Sequence, residues 1–525
     1  MKPLKVLLDS RALRYASVAS LAVVGVVWLV IRFIGLNVAP HGFWMDEAWD
    51  AVQVMCLAEN GHDADGRAWP LISHGLGGGS LPLTWTAQMV VWTRIFGTSI
   101  AAFRSLSALW VILSCAGLFA IGRALLRMTP AAQEPSTKSV AAIAFPWLVC
   151  LAGLVSPWSF QFSRMSWEQP LAPCFLVLAV LAMVRLKWQG KIHWALICGI
   201  SGACSMITYP PLRVAVPFVL AFAGSILLAS NLRGTSRRKF AIGLGVSAVV
   251  LVVAFFPIVL QMARGIGTER MMYVSIFAPD WLRENRGDMG SARYLFFTLL
   301  DNFWIHLRPS YLFGVGDPNL RHSAHIVGQL SPLDILAVLL AVVGFGWVAL
   351  LGFRQMTQRV APHWPRLDER EQVLVKVALS AVVAGMFATL PAALTWETLP
   401  HALRTIGTWP FVALFSGAVL AIGWARLRWL PAAAAIVAVV YTGYFLPEYF
   451  RIYKNVDSLY FYRDISEALA MRKGPWPRKT VRNSLRRFAR AYPQQVLRYY
   501  LMHDGKLKCK ESLEVYKAMR GPEHG

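Results

Sequence analysis

Charge is scarce in this chain: only 15% of its 525 residues are Asp, Glu, Lys or Arg, while 56% are hydrophobic and the mean hydropathy is +0.48. That balance excludes an ordinary water-soluble domain, because apolar runs of about 20 residues, the length that spans a bilayer, recur along most of the sequence. No Walker A motif occurs, and no strand-anchored Gly-x-Gly-x-x-Gly, so a nucleotide-phosphate cradle is not expected. Gly75-Leu76-Gly77-Gly78-Gly79 follows no strand in this reading and is expected as a flexible turn. Cysteine is sparse too. None of the seven forms a C-x-x-C, and Cys115, Cys150, Cys174, Cys198 and Cys204 fall in apolar segments as small packing residues. Only Cys56 and Cys509 fall in aqueous regions; a disulfide between them is an option but not the expected state. No tandem repeat or low-complexity segment is present. The first apolar span lacks a small-residue cleavage site and is too long for a signal-peptide core, so it reads as a retained helix.

What the chain does have is a polytopic layout. The reading is an all-α membrane protein with about eleven spans, near 16–36, 101–124, 139–157, 170–186, 192–208, 212–230, 240–262, 332–353, 373–394, 403–424 and 429–447. The segment Pro82 to Phe96 is apolar but short and carries Gln88 and Arg94, so it is placed as an interfacial helix. Loop charge supports this order. With the N-terminus in the cytoplasm, Lys and Arg collect on the inner ends, and counting Pro82–Phe96 as a span would invert every later loop. The net charge of +24 then reflects positive-inside loops and a basic tail near anionic lipid rather than nucleic acid. Residues 1–447 form the membrane module, with long outer loops over 37–100 and 263–331. Within the second loop, Ser291 to Phe297 is another candidate interfacial helix. Residues 448–525, which hold 17 Lys and Arg, form a small helical appendage outside the membrane, lying on its surface. The protein is thus expected in the plasma (inner) membrane, multi-pass, with its site on the outer side.

Two adjacent acids stand out in His41-Gly42-Phe43-Trp44-Met45-Asp46-Glu47-Ala48-Trp49, just beyond the first span. Neighbouring carboxylates at a membrane boundary raise each other's pKa and lose solvation, so their presence points to proton abstraction or cation binding. The layout gathers other polar residues on the same outer side. They are Arg104, Arg164 with Glu168, Tyr209 with Arg213, and Glu397 with His401 and Arg404. Singly, each reads as an interfacial anchor. Together they suit a definite chemistry. Carboxylates deprotonate an acceptor hydroxyl or amine, and arginines hold the charge of a phosphate leaving group. A cavity at the bilayer surface would admit a lipid-linked substrate sideways.

At these residues the chain resembles the membrane-embedded C-type (GT-C) glycosyltransferases that use polyprenyl-phosphate sugars, among them bacterial relatives of the protein O-mannosyltransferases and the lipid A aminoarabinose transferase. The resemblance rests on Asp46-Glu47 after the first span, and on Gly61-His62-Asp63-Ala64-Asp65-Gly66 through Pro70, similar to a G-x-D-x-x-G-x-x-x-P loop. Ser80-Leu81-Pro82-Leu83-Thr84-Trp85 is similar to H-P-P-L-Y-Y, with Ser-Leu for the first His-Pro. Phe96-Gly97 and Phe103 through Leu109 follow F-G and R-L-P-S-A-L, with Ser107 for Pro. Ser163-Arg164 through Glu168, Gly314 through His322, and Pro400 through Pro410 complete an ordered set across most of 16–447.

The resemblance implies an inverting transfer with Asp46 as general base. Glu47 and Glu168 would orient the acceptor, stabilise charge on the sugar or ligate a cation. Arg404, Arg164, Arg213 and Arg104 would hold the donor phosphate. Asp63, Asp317, Arg321, His322, His401 and Tyr209 would line the substrate cavity. No cofactor is required by this reading, although a divalent metal on Glu47 and Glu168 is possible. Asp63 and Asp65 could also ligate calcium, but a solvated turn explains them equally well. The implied partners are a polyprenyl-phosphate-linked sugar and membrane lipid, with a glycan, lipid or protein as acceptor; the oligomeric state is open. The alternatives are a lipid-linked saccharide transporter (flippase), or a silent scaffold. The near charge-free span interiors and the lack of repeat symmetry weigh against a transporter.

Overall fold

The computed structural model describes residues 11–76, 79–129, 140–287, 290–358 and 367–455, with Tyr499, Met502, His503, Gly505, Lys508 and Cys509 of the tail. Helices dominate it. In chain order they begin with α1 (Arg11–Ile31), α2 (Met45–Asn60), α3 (Leu83–Phe96), α4 (Ile100–Arg127), α5 (Val140–Val155) and α6 (Pro157–Ser163). Then come α7 (Leu171–Gln189), α8 (Ile192–Thr208), α9 (Leu212–Ala229), α10 (Arg237–Ala263), α11 (Glu269–Val274), α12 (Pro279–Asn285) and α13 (Ser291–Ile305). The last are α14 (Pro332–Gln358), α15 (Glu369–Ala393), α16 (Trp409–Arg426) and α17 (Leu430–Asn455).

Among the described residues, eight of these helices are long and apolar enough to cross a membrane, or nine if the bent pair α5–α6 counts as one span; α8 and the start of α14 are shorter apolar helices. The protein is therefore a polytopic helical membrane protein. Helix starts are set by ordinary caps. Ser99 accepts from the Ala102 N–H at 3.2 Å, and Asp368 and Glu371 form a reciprocal capping box at 2.7 and 3.0 Å. Packing is close where small residues allow it. A methyl group added at Gly417 of α16 would lie 2.3 Å from Val149 of α5, so that pair packs backbone against side chain only because Gly is there.

Several expectations are corrected. The first helix ends at Ile31 rather than Leu36, and residues 32–40 continue as turns. The Gly-rich stretch does follow a strand. β1 (Ile72–His74) pairs antiparallel with β2 (Ser80–Pro82), and three-residue strands are too short to show a period-two pattern. Gly75 and Gly79 close this hairpin with hydrogen bonds of 2.8 and 3.0 Å, and a Cβ at Gly75 would meet Gly79 backbone at 2.9 Å. The last helix runs on to Asn455, past the boundary set at 447. Cys56 and Cys509 form a disulfide. With it, Tyr499 packs tilted against Phe43, ring centroids 4.6 Å apart, and donates its hydroxyl to the Thr98 carbonyl at 2.8 Å, so these tail residues dock on α2 and the start of α4. The expected helical course of the rest of the tail lies outside the described residues.

Both interfacial helices are present as helices. α3 has 14 residues, about 21 Å at 1.5 Å per residue, short of the hydrocarbon thickness. α13 exposes Phe296, Phe297, Leu300 and Trp304.

Candidate active site

The first turn of α2 carries the acid pair. Trp44 stands before it in extended conformation as N-cap, and the Glu47 carboxylate reaches back to the Trp44 N–H at 3.1 Å. Glu47 is fully buried. It also accepts from Arg104 Nε at 2.9 Å, Arg104 Nη2 at 2.7 Å and the Ser166 N–H at 2.6 Å. The remaining donors of Arg104 go to the carbonyls of Leu36, Pro40 and Gly42 at 2.6 to 2.9 Å. Both groups are saturated, so Glu47 has no lone pair left for an ion and Arg104 no N–H left for a phosphate. Together they tie the loop over residues 36–42 to the first turn of α2.

Arg164 follows the same pattern. Its guanidinium donates to the carbonyls of Ile31, Ile34, Gly35 and Ala39 at 2.7 to 3.0 Å, which are the acceptors freed where α1 unwinds. It closes a helix end and is not available to a donor phosphate. Arg32, which the sequence did not single out, does likewise at the 57° bend between α5 and α6, donating to the Leu154 and Ser159 carbonyls at 2.6 and 3.0 Å.

Asp46 is built differently. Its Oδ2 accepts the Trp44 indole N–H at 2.6 Å and lies 3.5 Å from Arg321 Nη1, whose guanidinium covers the Trp44 ring at 4.3 Å. Oδ1 accepts nothing among the described residues, and 36% of the side chain is exposed. Burial of the rest raises the Asp46 pKa above the usual carboxylate range, against the lowering effect of Trp44 and Arg321. Glu168 lies near it in the loop between α6 and α7, which Ser166 ties to Glu47. Burial pushes Glu168 up to about 8, and Asp46 adds to the rise. Tyr209, at the end of α8, is buried; that burial raises its hydroxyl above the usual phenol range, with Arg404 and Glu168 as charged neighbours.

Asp50 is a site residue missed by the sequence reading. It follows Asp46 by one helical turn and is buried, with Glu168, Asp46 and Glu47 as its charged neighbours. The signal was an i, i+4 spacing, which carries meaning only once residues 45–60 are known to be helical.

The other expected residues divide into three groups. Asp317, His322 and His401 offer ligand atoms within 4.8 Å of one another. They already form a bonded set: Asp317 Oδ2 meets His322 Nδ1 at 3.0 Å and accepts the Ala402 N–H at 2.7 Å, Oδ1 accepts the Asn319 N–H at 2.8 Å, and the His322 and His401 rings lie 4.6 Å apart. Burial and the surrounding histidines and arginines hold His401 well below the usual imidazole range. These hydrogen bonds already engage Asp317 and His322, and no step is routed through an ion here. Arg404 donates to Glu397 Oε2 at 2.8 Å and to Thr395 Oγ1 at 2.8 Å, and Glu397 also takes Arg270 at 2.7 Å. Arg213 makes only contacts of 3.4 to 3.5 Å, and its Nη2 has no partner. Asp63 lies apart. It accepts from Arg67 Nε, Nη2 and N and from the Asp65 N–H at 2.8 to 3.0 Å, which makes it the centre of a turn rather than a cavity wall or a calcium ligand.

No family model matches this chain, and none of the curated proteins does. Among solved structures it is similar to the Archaeoglobus fulgidus oligosaccharyltransferase in the apo form (TM-score 0.45, 12% identity, 93% of this chain and 60% of that one). It is similar also to AglB of that organism in complex with an inhibitory peptide and a dolichol-phosphate (0.43, 13%, 94% and 60%). A third is ArnT from Cupriavidus metallidurans bound to undecaprenyl phosphate (0.39, 14%, 96% and 77%). The chain thus spans 60% of the length of the archaeal enzyme. At these scores the likenesses decide neither substrate nor residue roles.

Proposed function

We propose that this protein is an inverting glycosyltransferase that moves a sugar from a polyprenyl-phosphate donor to an acceptor on the outer face of the membrane. The observation that carries the reading is the contrast inside one dipeptide. Glu47 is consumed by Arg104, which fixes the helix start, while Asp46 beside it keeps an open oxygen, and partial burial raises its basicity. In the transfer, Asp46 Oδ1 takes the acceptor proton as the acceptor oxygen or nitrogen attacks the anomeric carbon. The bond from that carbon to the phosphate oxygen breaks, its electron pair leaves with the polyprenyl phosphate, and attack from the opposite face inverts the centre. Arg213, whose Nη2 bonds nothing among the described residues, and Arg404, which shares Glu397 with Arg270, supply positive charge for the leaving phosphate. The Cys56–Cys509 disulfide supports an oxidising, outward location for the α2 loop and the tail, in keeping with a cytoplasmic N-terminus.

The test is turnover of undecaprenyl-phosphate-linked sugars by purified protein. We expect release of undecaprenyl phosphate by the wild type and a loss of about 10²–10⁴ in Asp46→Asn, the range for removal of a general base. Undiminished turnover in that variant removes Asp46 as the base. Movement of the lipid-linked sugar across vesicles without turnover favours a transporter instead.

A further inference from the structure

One turn behind the proposed base, Asp50 is only 6% exposed, yet it accepts no hydrogen bond and meets no cation among the described residues. The charged groups that face it are Asp46 and Glu47 from its own helix and Glu168 from the loop before α7, all of them acids. An ionised carboxylate there would be a buried charge without a partner, which proteins avoid by keeping the proton. The neutral acid then carries an O–H donor with nothing to give it to. A second group near Glu168 has the same defect. Tyr209 is 7% exposed and its hydroxyl makes no hydrogen bond among the described residues, although it lies in the fields of Arg404 and Glu168. Two largely buried O–H groups with no acceptor among the described residues, both neighbours of Glu168, together with the open oxygen of Asp46, call for a ligand that both gives and takes hydrogen bonds.

We propose that Asp50 is held as a neutral carboxylic acid that donates a hydrogen bond to a hydroxyl oxygen of the transferred sugar, while Glu168 accepts from a hydroxyl of the same ring. The inference rests on the glycosyltransfer reading and assigns the sugar subsite within it. A sugar ring fits because its hydroxyls are donor and acceptor at once. A phosphate does not, since it would set a like charge beside the proposed base Asp46. No bond to Asp50 forms or breaks, and its proton stays in place through the reaction. Burial, with Glu168, Asp46 and Glu47 adding, moves the Asp50 pKa well above the ordinary range, in keeping with this role.

Two measurements test it. The first needs no substrate: infrared difference spectra of wild type against Asp50→Asn at neutral pH, with Glu168→Gln as control. Loss of a protonated-carboxyl stretch in Asp50→Asn is expected; loss of a carboxylate band instead overturns the proposal. The second is donor turnover with an undecaprenyl-phosphate-linked hexose. Asp50→Ala is expected to raise the donor KM about tenfold, the effect of one buried hydrogen bond, with a smaller change in kcat. Asp50→Asn, which keeps an N–H donor, is expected to recover most of that loss. A donor KM unmoved in Asp50→Ala, or Asn no better than Ala, overturns the assignment. A wild type inert toward every polyprenyl-phosphate sugar defeats the functional reading and the sugar role with it, while the infrared result still decides whether Asp50 holds its proton.

Discussion

On one side of the first turn of α2 lies Glu47, enclosed by Arg104, Ser166 and the Trp44 backbone; on the other lies Asp46, with one oxygen bound to Trp44 and the other open. The two are chemically near-identical and adjacent in sequence. Successive residues of an α-helix point about 100° apart, so one faces the packed loop and its neighbour does not. A buried charge that is fully paired stabilises a position, whereas a carboxylate short of partners keeps a proton-accepting oxygen. The arginines differ too. Arg32, Arg104 and Arg164 give most of their hydrogen bonds to backbone carbonyls, Glu47 and serine hydroxyls, while Arg404 shares Glu397 with Arg270 and Arg213 makes only contacts of 3.4 to 3.5 Å.

The sharpest way to break this comparison is Arg104→Met. It leaves the Glu47 charge buried and unpaired, at a cost of about 3–5 kcal/mol, so the protein should fail to accumulate or should melt far below the wild type. Adding Glu47→Gln should recover part of that loss. If Arg104→Met instead keeps its melting temperature and loses only donor affinity, the closed side is a phosphate site after all. Next in size is Cys509→Ser. It releases the tail from Cys56 and from the contact with Phe43, and a melting shift equivalent to about 2–4 kcal/mol is expected. Donor turnover at low temperature should hardly change, because the tail docks on the closed side; a selective fall in kcat would place it in the open one.

The smallest effect concerns pH. Glu168 is raised from 4.5 to about 8, so the folded protein holds a proton that the unfolded chain releases. Stability therefore falls as pH rises from about 4.5 toward 8. Glu168→Gln should remove that dependence and raise the melting temperature more at mildly alkaline pH than in mild acid. An equal shift at both would mean that Glu168 is ionised in the fold.

Much of the helical layout was legible because apolar length is a one-dimensional property. The segment Pro82–Phe96 could be set apart by its length and by Gln88 and Arg94 alone. The hairpin around Gly75–Gly79 was not, since strands of three residues leave no period to read. The site was legible by residue type but not by role. Asp46, Glu168 and Tyr209 are neighbours, with one Asp46 oxygen open, whereas Arg104, Arg164 and Asp63 are absorbed by Glu47, backbone carbonyls or a turn. Asp50 escaped notice because its meaning lies in a helical spacing from Asp46, within a stretch read as loop.

By itself the sequence determined that this is a multi-pass helical membrane protein with its polar residues at the ends of the spans, because the bilayer sorts residues by polarity alone. Only the tertiary structure decided which acid of the Asp46-Glu47 pair is open and which arginines are saturated. Those outcomes depend on which neighbours saturate each group, and the chain brings such neighbours from more than 50 residues away, as Arg104 is from Glu47.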